Sequence, residues 1–233
     1  MSVIKKKNEP STYLVTGANR GIGLEFARQL SRRGDRVIAT ARHPDKSGAL
    51  SSLDVRVEPL DVAEEESVAA LARRLSAMPI DVLIHNAAIG TAGPGIDGLS
   101  IADVERHIRV NALGPLRLTQ ALLPHLRAGE RKTIVALTSG LGSISSNTSG
   151  GWTAYRASKA ALNQLLRTIA AELAAEKFTC VAISPGWVRT DMGGPGASLS
   201  PEESVASMLA VCGRLRLSDN SRFLDREGKE VPW

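Results

Sequence analysis

The sequence predicts a single α/β domain in which helices cover both faces of a doubly wound parallel sheet of about seven strands. Short β-branched runs alternate with longer alanine- and leucine-rich segments, an order typical of parallel strands joined by crossover helices. The chain has 233 residues, of which 43% are hydrophobic. This length supports one substantial core and leaves little room for a second full domain.

Six runs have the composition of buried strands. They are TYLVT (12–16), RVIAT (36–40), VRVEPL (55–60), DVLIHNA (81–87), KTIVALTS (132–139) and TCVAISP (179–185). A periodicity of 3.6 residues predicts helices over 22–33, 64–77, 101–127, 152–176 and 201–214. The last helix has Ser200 as its N-cap, Pro201 in its first turn and Glu203 as a capping-box partner.

Residues 1–10 are predicted to form a solvated tail ahead of a domain spanning 11–233. Lys5 to Lys7 form the only run of three basic residues, and the 29 basic and 24 acidic residues are interspersed over most of the chain, with a net charge of +5. A nucleic-acid-binding arm is the alternative, but no aromatic interleaving or recognition motif supports it. The first ten residues have no apolar h-region and no small-residue cleavage site, and no run of about 18 apolar residues is present, so a soluble, cytoplasmic protein is expected.

The cysteines and histidines give no support for a disulfide framework or a metal site. Cys180 and Cys212 lie in apolar runs that suit buried free thiols and a reducing compartment. The four histidines are scattered along the chain without a metal-ligand spacing. No metal is therefore expected.

A glycine-rich turn, TGANRGIG, follows the first strand directly and precedes a helix that begins near Ile22. Gly17, Gly21 and Gly23 allow a tight turn and a close backbone approach, and the helix N-terminus offers N–H groups to a pyrophosphate. A plain strand-to-helix turn is the alternative. Since strand, loop and helix occur in the required order, we expect a Rossmann fold that binds a nicotinamide dinucleotide.

The end of the second strand favours NADP over NAD. Thr40 and Ala41 offer no carboxylate for the ribose hydroxyls, whereas Arg42 and Arg20 could bind a 2′-phosphate through charge-assisted bonds. The alternative is that either arginine faces solvent and Asp45 folds back towards the ribose. We expect NADPH to be preferred over NADH.

A tyrosine and a lysine four residues apart, in YRASK (155–159), lie on one face of a predicted helix. Around them, TGANRGIG, Asp61, HNAA (85–88), Asn111, Ser139 and SPGWVRTDM (184–192) occur in a set order. This arrangement resembles the short-chain dehydrogenase/reductase family over nearly the whole chain. The segments 138–163 and 223–233 are similar to its C-factor and sniffer-like carbonyl reductase branch.

The resemblance implies that Tyr155 is the catalytic acid, Lys159 its partner, Ser139 the group that polarises a carbonyl, and Asn111 the anchor of a proton-relay water. The residues expected to bind the cofactor are Gly17, Asn19, Arg20, Gly21, Ile22, Gly23, Arg42, Asp61, Val62, Asn86, Ala87, Ala88, Tyr155, Lys159, Pro185, Gly186, Val188 and Thr190. Asp61 and Val62 would meet the adenine, and the segment 185–190 the nicotinamide.

The chemistry of carbonyl reduction requires these residue types. Hydride addition leaves an alkoxide unless a proton arrives, and Tyr155 can deliver that proton while the Ser139 hydroxyl donates to the oxygen. An unperturbed tyrosine has a pKa near ~10, and we expect the Lys159 ammonium to lower it by up to ~3 units. Lys159 is also expected to bond the nicotinamide ribose.

Each of these residues has a structural alternative. Tyr155 and Lys159 could belong to an ordinary helix, and Ser139 could cap a strand end. Asn111 could satisfy a helix break, because a Gly-Pro pair follows it and frees a backbone carbonyl. Trp152 is compatible with a core, dimer-helix or substrate-wall position.

The chain departs from the family pattern after the fourth strand, where His85 and Ala88 replace an asparagine and a glycine. His85 could take over the hydrogen bonds of asparagine or add a titrating group, and Ala88 is expected to crowd the cofactor. The short segment after Thr190 predicts an open substrate pocket.

We therefore expect an NADPH-dependent oxidoreductase that interconverts carbonyl and alcohol groups of small molecules reversibly, as a homodimer or homotetramer. No nucleic-acid or membrane partner is expected. The alternative is a C-factor-like signalling or regulatory protein that binds a cofactor without turnover, and the complete Ser-Tyr-Lys-Asn set weighs against it.

Overall fold

A computed structural model describes residues 10–93 and 95–233, so the lysine run at Lys5 to Lys7 lies outside the described residues. Seven strands in the described part of the chain form one parallel sheet: β1 (Thr12–Val15), β2 (Arg36–Ala41), β3 (Arg56–Pro59), β4 (Val82–His85), β5 (Thr133–Leu137), β6 (Thr179–Ser184) and β7 (Arg222–Asp225). Their order is β3-β2-β1-β4-β5-β6-β7. The predicted single-domain, doubly wound fold is confirmed.

Seven α-helices cover the sheet within the same described residues: α1 (Gly21–Arg32), α2 (Gly48–Ser51), α3 (Glu65–Leu75), α4 (Ile101–Ile108), α5 (Gly114–Ala128), α6 (Thr153–Glu172) and α7 (Pro201–Arg214). Successive strand residues point to opposite faces, which creates two cores. The strand residues that share a face with Leu83, such as Leu14 and Ile134, pack against α3, α5 and α6. The strand residues on the opposite face, such as Val15, Ile84 and Val135, pack against α1 and α7.

The order of the strands reverses between β1 and β4. From β1 the chain proceeds outward to β2 and β3, then crosses back to β4 and continues in the other direction. The connections after β1 and β4 therefore leave on opposite faces, which opens a crevice at the carboxyl ends of these two strands. The fold thus determines where a ligand cleft forms.

The structure differs from the predicted elements in three places. The helix predicted over 101–127 is divided by a π-helical turn at Arg109–Leu113. The seventh strand comes from RFLD, which is too short and too polar to be recognised as a strand, and α2 is only four residues long. The predicted capping box of Ser200 and Glu203 is confirmed.

Reactive cysteines, membrane-spanning helices and metal-binding clusters are absent from the described residues. Cys180 and Cys212 are free and buried, as predicted, and burial raises the pKa of their thiols to about 12 and about 11. None of the described helices is long and apolar enough to cross a membrane. No group of three or more His, Cys, Asp or Glu side chains in this part of the chain could hold a metal ion.

Gly23, at the start of α1, permits the close packing of the first loop against β4. We expect Gly23→Ala to lower the free energy of unfolding by about 1–3 kcal/mol, because the added methyl would overlap the Gly17 carbonyl oxygen and the Asn86 amide. Urea denaturation measures this change. Gly213→Ala near the end of α7, where a methyl meets nothing within 4 Å, is the control and should raise stability by up to about 1 kcal/mol. Equal stability of the two variants would contradict the packing argument.

Candidate active site

The carboxyl ends of the central strands open into one cleft of about 1180 Å³. This exceeds the roughly 300–1,000 Å³ of ordinary ligand pockets, which leaves room for an elongated dinucleotide and a second small molecule. Every residue predicted to bind the cofactor lines this cleft, and so does Ser139. Asn111 does not line it and is buried behind its wall.

The glycine loop has the geometry of an anion cradle. Gly17 and Gly21 have φ angles of +65° and +56°, which favour glycine, and a Cβ at Gly17 would lie 2.9 Å from the Cα of Ala87. No side chain caps α1 at Arg20, and its first turn carries no acidic residue. The first-turn N–H groups lack intrahelical partners and belong to residues that line the cleft, so the loop fits a pyrophosphate.

Asn86 ties the segment after β4 to the glycine loop. Its side-chain amide donates to the carbonyl oxygens of Thr16 (2.8 Å) and Gly17 (3.1 Å). The backbone N–H groups of Asn86 and Ala87 both donate to the Thr16 hydroxyl. Asn86 therefore holds the two sides of the crevice together, in addition to lining the cleft.

The segment after β2 gives one end of the cleft a basic character. Arg42, His43 and Lys46 line it, whereas Asp45 does not. Arg20 does not join these basic residues, because its guanidinium donates to the carboxylate of Asp191 at 2.8 Å. The ion pair is largely exposed and links the glycine loop to the segment after β6.

Ser139, Tyr155 and Lys159 come together on one wall of the cleft. The Ser139 side chain lies near the Tyr155 phenol and acts to lower its pKa, and the Lys159 ammonium nitrogen lies 5.7 Å from the centre of the phenol ring. Lys159 is 3% exposed and donates to the carbonyl oxygen of Leu137 at 2.8 Å. Ser139 ends β5 and also accepts a bond from the backbone N–H of Leu141.

The expected lowering of the Tyr155 pKa is wrong for this structure. Burial raises the pKa of Tyr155 to about 12, and hydrogen bonding with Ser139 acts in the opposite direction without cancelling it. The phenolate is poorly solvated in this wall, and the Lys159 ammonium is directed to a backbone carbonyl. Burial also lowers the pKa of Lys159 to about 8.

His85 does not add a titrating group to the site. Its Nε2 lies 2.9 Å from the Thr119 hydroxyl. Burial, reinforced by the Lys159 ammonium, lowers the pKa of His85 to about 3. The imidazole is therefore neutral near neutral pH, which contradicts the alternative of an added titrating group. That His85 takes over the hydrogen bonds of asparagine stays a prediction.

Asn111 lies in the π-helical turn and braces the site from behind. Its side-chain amide donates to the Ile89 carbonyl oxygen (2.8 Å) and the Ser158 hydroxyl (2.9 Å), while its oxygen accepts from the Ile89 N–H. It therefore connects the segment after β4 to the residue preceding Lys159. These bonds reach residues outside the π-helical turn and not a carbonyl freed by the Gly-Pro pair, so they differ from the structural alternative considered for Asn111. Its role in a proton relay stays a prediction.

Sequence reasoning missed several residues that line the cleft. They are His43, Lys46, Leu60, Ala63, Glu64, Ile89, Arg106, Arg109, Val110, Leu137, Thr138, Leu141, Trp187, Arg189, Asp191, Met192, Gly193 and Pro201. Trp187, Arg189, Asp191 and Met192 lie inside SPGWVRTDM, so their neighbours in that motif were a usable signal. Arg106 on α4 and Arg109 and Val110 in the π-helical turn had no such signal, because helix packing brings them to the cleft.

Comparison with known proteins places this geometry in a family. A family model described as short chain dehydrogenase matches residues 11–198. The chain is 45% identical over 164 residues to C-signal of Myxococcus xanthus, an alignment that covers 70% of this chain and 99% of that protein.

Two solved structures are also similar over 97% of this chain and 100% of their own. Carbonyl reductase Sniffer of D. melanogaster superimposes with a TM-score of 0.91 at 27% identity. NADPH-bound carbonyl reductase from chicken fatty liver superimposes with a TM-score of 0.89 at 35% identity. These matches confirm the resemblance and the branch predicted from the motifs.

The buried Lys159 should give the protein a specific pH dependence of stability. Its pKa is about 8 in the folded protein and 10.5 in an exposed reference, so the unfolded chain binds the proton more tightly. The contribution of Lys159 to the free energy of unfolding is therefore fully present above about pH 10.5 and is lost as the pH falls through 8. Relative to Lys159→Met, the free energy of unfolding of the wild type should rise by roughly 3 kcal/mol between pH 7 and pH 10.5.

Denaturation curves at several pH values measure this difference. Lys229→Met, at an exposed lysine, is the control and should follow the wild type across the same range. A constant difference between Lys159→Met and the wild type would mean that Lys159 is not held in a desolvated position.

Proposed function

Because the chain belongs to the short-chain dehydrogenase family, we propose that it is an NADPH-dependent reductase that interconverts carbonyl and alcohol groups of small molecules. The observation that carries this proposal is the convergence of Ser139, Tyr155 and Lys159 on a cleft with an anion-binding glycine loop. A proton donor and a hydroxyl then stand where a carbonyl oxygen would be reduced.

The residues present fit a nicotinamide dinucleotide. The glycine loop and the uncapped start of α1 would hold the pyrophosphate, and the segment from Pro185 to Thr190 would hold the nicotinamide end. When bound, a reduced nicotinamide supplies the hydride. The protein's own residues then orient the carbonyl and manage the proton.

Tyr155 is suited to give a proton. With a pKa of about 12, its phenol stays protonated at neutral pH, so the donor is already loaded before a carbonyl compound binds. Ser139 donates to the same oxygen and stabilises the charge that develops on it.

Lys159 contributes a buried positive charge next to the donor. An ammonium in a desolvated site strongly stabilises negative charge that forms nearby, since little water screens it. In our proposal it assists Tyr155 as the proton leaves and bonds the nicotinamide ribose. Asn111 holds the helix turn that supports this arrangement and anchors the relay water.

NADPH is the proposed cofactor because of the basic end of the cleft. Arg42, His43 and Lys46 lie beyond β2, where a 2′-phosphate would sit, and Thr40 and Ala41 bring no carboxylate there. The similar chicken carbonyl reductase has NADPH bound. Arg20 would have to leave Asp191 to join this group.

A signalling role without turnover is the second candidate. It is favoured by the 45% identity to C-signal, whose name denotes a signal. The complete set of Ser139, Tyr155, Lys159 and Asn111 argues for catalysis instead, and the turnover measurement below separates the two. A reducing, cytoplasmic compartment and a dimeric or tetrameric assembly are further parts of the proposal.

Tyr155→Phe tests the proposed acid. Removing the phenolic hydroxyl should lower kcat for NADPH-dependent reduction of a small ketone or aldehyde by at least about 100-fold, while the NADPH dissociation constant changes by less than about 3-fold. Absorbance at the NADPH band and fluorescence titration measure the two quantities. Tyr13→Phe, at the other tyrosine of the chain, is the control and should retain turnover. Full activity in Tyr155→Phe would overturn the assignment.

Arg42→Ala tests the proposed cofactor preference. Loss of a charge-assisted contact to the 2′-phosphate should weaken NADPH binding by about 10-fold or more, with little change for NADH. Titration of both cofactors measures this. Arg32→Ala, at an exposed arginine outside the cleft, is the control and should affect neither. An equal loss for both cofactors would remove the basis for NADPH preference.

A further inference from the structure

Trp152 begins α6 in a conformation that local preferences disfavour. It is the N-cap residue, with φ of +53° and ψ of +33°, and its side chain makes no capping bond. N-cap positions favour Ser, Thr, Asp, Asn or Gly, and a bulky side chain rarely adopts a left-handed backbone. Such exceptions cluster at functional sites, where the surrounding structure enforces them.

The loop before Trp152 is built to hold this conformation. Gly150 and Gly151 also have positive φ angles, +65° and +69°, so three consecutive residues follow a left-handed path. The Arg156 guanidinium donates to the Gly151 carbonyl oxygen (3.0 Å) and the Ser149 hydroxyl (3.2 Å). Arg156 thus fastens the loop to the first turn of the helix and holds Trp152 in place.

The Trp152 ring lies against the proposed acid. Its centre is 5.9 Å from the centre of the Tyr155 ring, with an interplanar angle of 68°, an edge-to-face contact. Gly90 packs between Tyr155 and Met192, since a Cβ at Gly90 would lie 3.1 Å from the phenol ring and 2.8 Å from the Met192 sulphur. The phenol is therefore held among apolar groups, with Trp152 as a half-buried part of the cleft wall.

The two tryptophans of the cleft differ in their bonding. The Trp187 indole N–H donates to the Gly193 carbonyl oxygen at 2.8 Å and thereby secures the segment after β6. The Trp152 indole N–H has no hydrogen-bond partner among the described residues, and it is not one of the buried unpaired groups. Trp152 is half-buried and lines the cleft, so part of its indole is accessible there, and its N–H is not used to hold the loop.

We propose that Trp152 is a specificity-determining residue that forms the substrate wall and selects carbonyl compounds conjugated to a flat, apolar ring. This inference rests on the proposed reductase function and deepens it by naming the substrate class. A rigid indole braced beside the proton donor offers an aromatic surface on which a planar ring stacks with its carbonyl near Tyr155. A puckered ring of similar size gains less from that surface.

A matched pair of ketones tests this preference. Acetophenone and cyclohexyl methyl ketone differ in the flatness of the ring. Trp152→Leu should lower kcat/KM for acetophenone by about 10-fold, mainly through KM, and change the value for cyclohexyl methyl ketone by less than about 3-fold. Trp152→Phe, which keeps an aromatic ring, should recover most of the loss. Trp187→Leu is the contrasting variant and should affect both ketones by a similar factor.

Equal losses for the two ketones in Trp152→Leu would indicate a merely structural role and overturn the proposal. A selective loss of acetophenone turnover that follows Trp187→Leu instead would also overturn it. Circular dichroism and NADPH titration of each variant establish that the fold and the cofactor site are intact.

A binding measurement does not depend on turnover. The chain has three tryptophans, so Trp187→Phe with Trp233→Phe leaves Trp152 alone, and Trp152→Phe with Trp233→Phe leaves Trp187 alone. In the presence of NADP⁺, 4-nitroacetophenone should quench the Trp152-only protein saturably. Saturable quenching confined to the Trp187-only protein would contradict the proposal.

The two measurements separate the inference from the function on which it rests. Ketone-dependent NADPH oxidation without saturable quenching of Trp152 would overturn the assignment of Trp152 to the substrate wall and leave the proposed reductase function intact. Saturable quenching without any turnover of either ketone would overturn the proposed reductase while supporting Trp152 as a binding surface.

Discussion

The site depends on the bond between the buried Lys159 ammonium and the carbonyl oxygen of Leu137. This contact ties α6 to the end of β5, and Gly142 permits it because a Cβ there would lie 2.8 Å from the Cβ of Lys159. A buried ammonium is tolerated only with a good acceptor. Tyr155 lies one turn away on the same helix, so its distance from Ser139 is set by the same contact.

Burial determines the protonation states of the titratable groups around this contact. Tyr155 is kept protonated and His85 is kept neutral, while Lys159 loses much of its affinity for a proton and still lies at the borderline of ionisation near pH 8. The wall therefore presents a loaded proton donor and a positive charge with little screening. Such a wall responds to negative charge that develops on a bound molecule more strongly than an exposed set of the same residues would.

Local patterns allowed most of the fold and the glycine loop to be predicted, and the family resemblance added most of the other predicted cleft residues, whereas many residues that line the cleft were missed. The glycine loop and the capping box of Ser200 and Glu203 depend on neighbours in sequence, so they were readable directly. The pKa of Tyr155 was predicted in the wrong direction, because the spacing to Lys159 gives proximity and says nothing of desolvation. The pairing of Arg20 with Asp191, 171 residues apart, has no local signal at all.

The positions where local rules fail are also the positions that shape the cleft. A π-helical turn carries Asn111, a buried lysine faces the phenol, and a left-handed tryptophan starts α6. A serine at position 152 with the extended backbone usual for an N-cap would favour the helix by about 1 kcal/mol. It would also remove the indole that packs against Tyr155. The chain therefore gives up local stability at the helix start to keep an aromatic surface beside the proton donor, as expected where a site constrains the sequence more than the fold does.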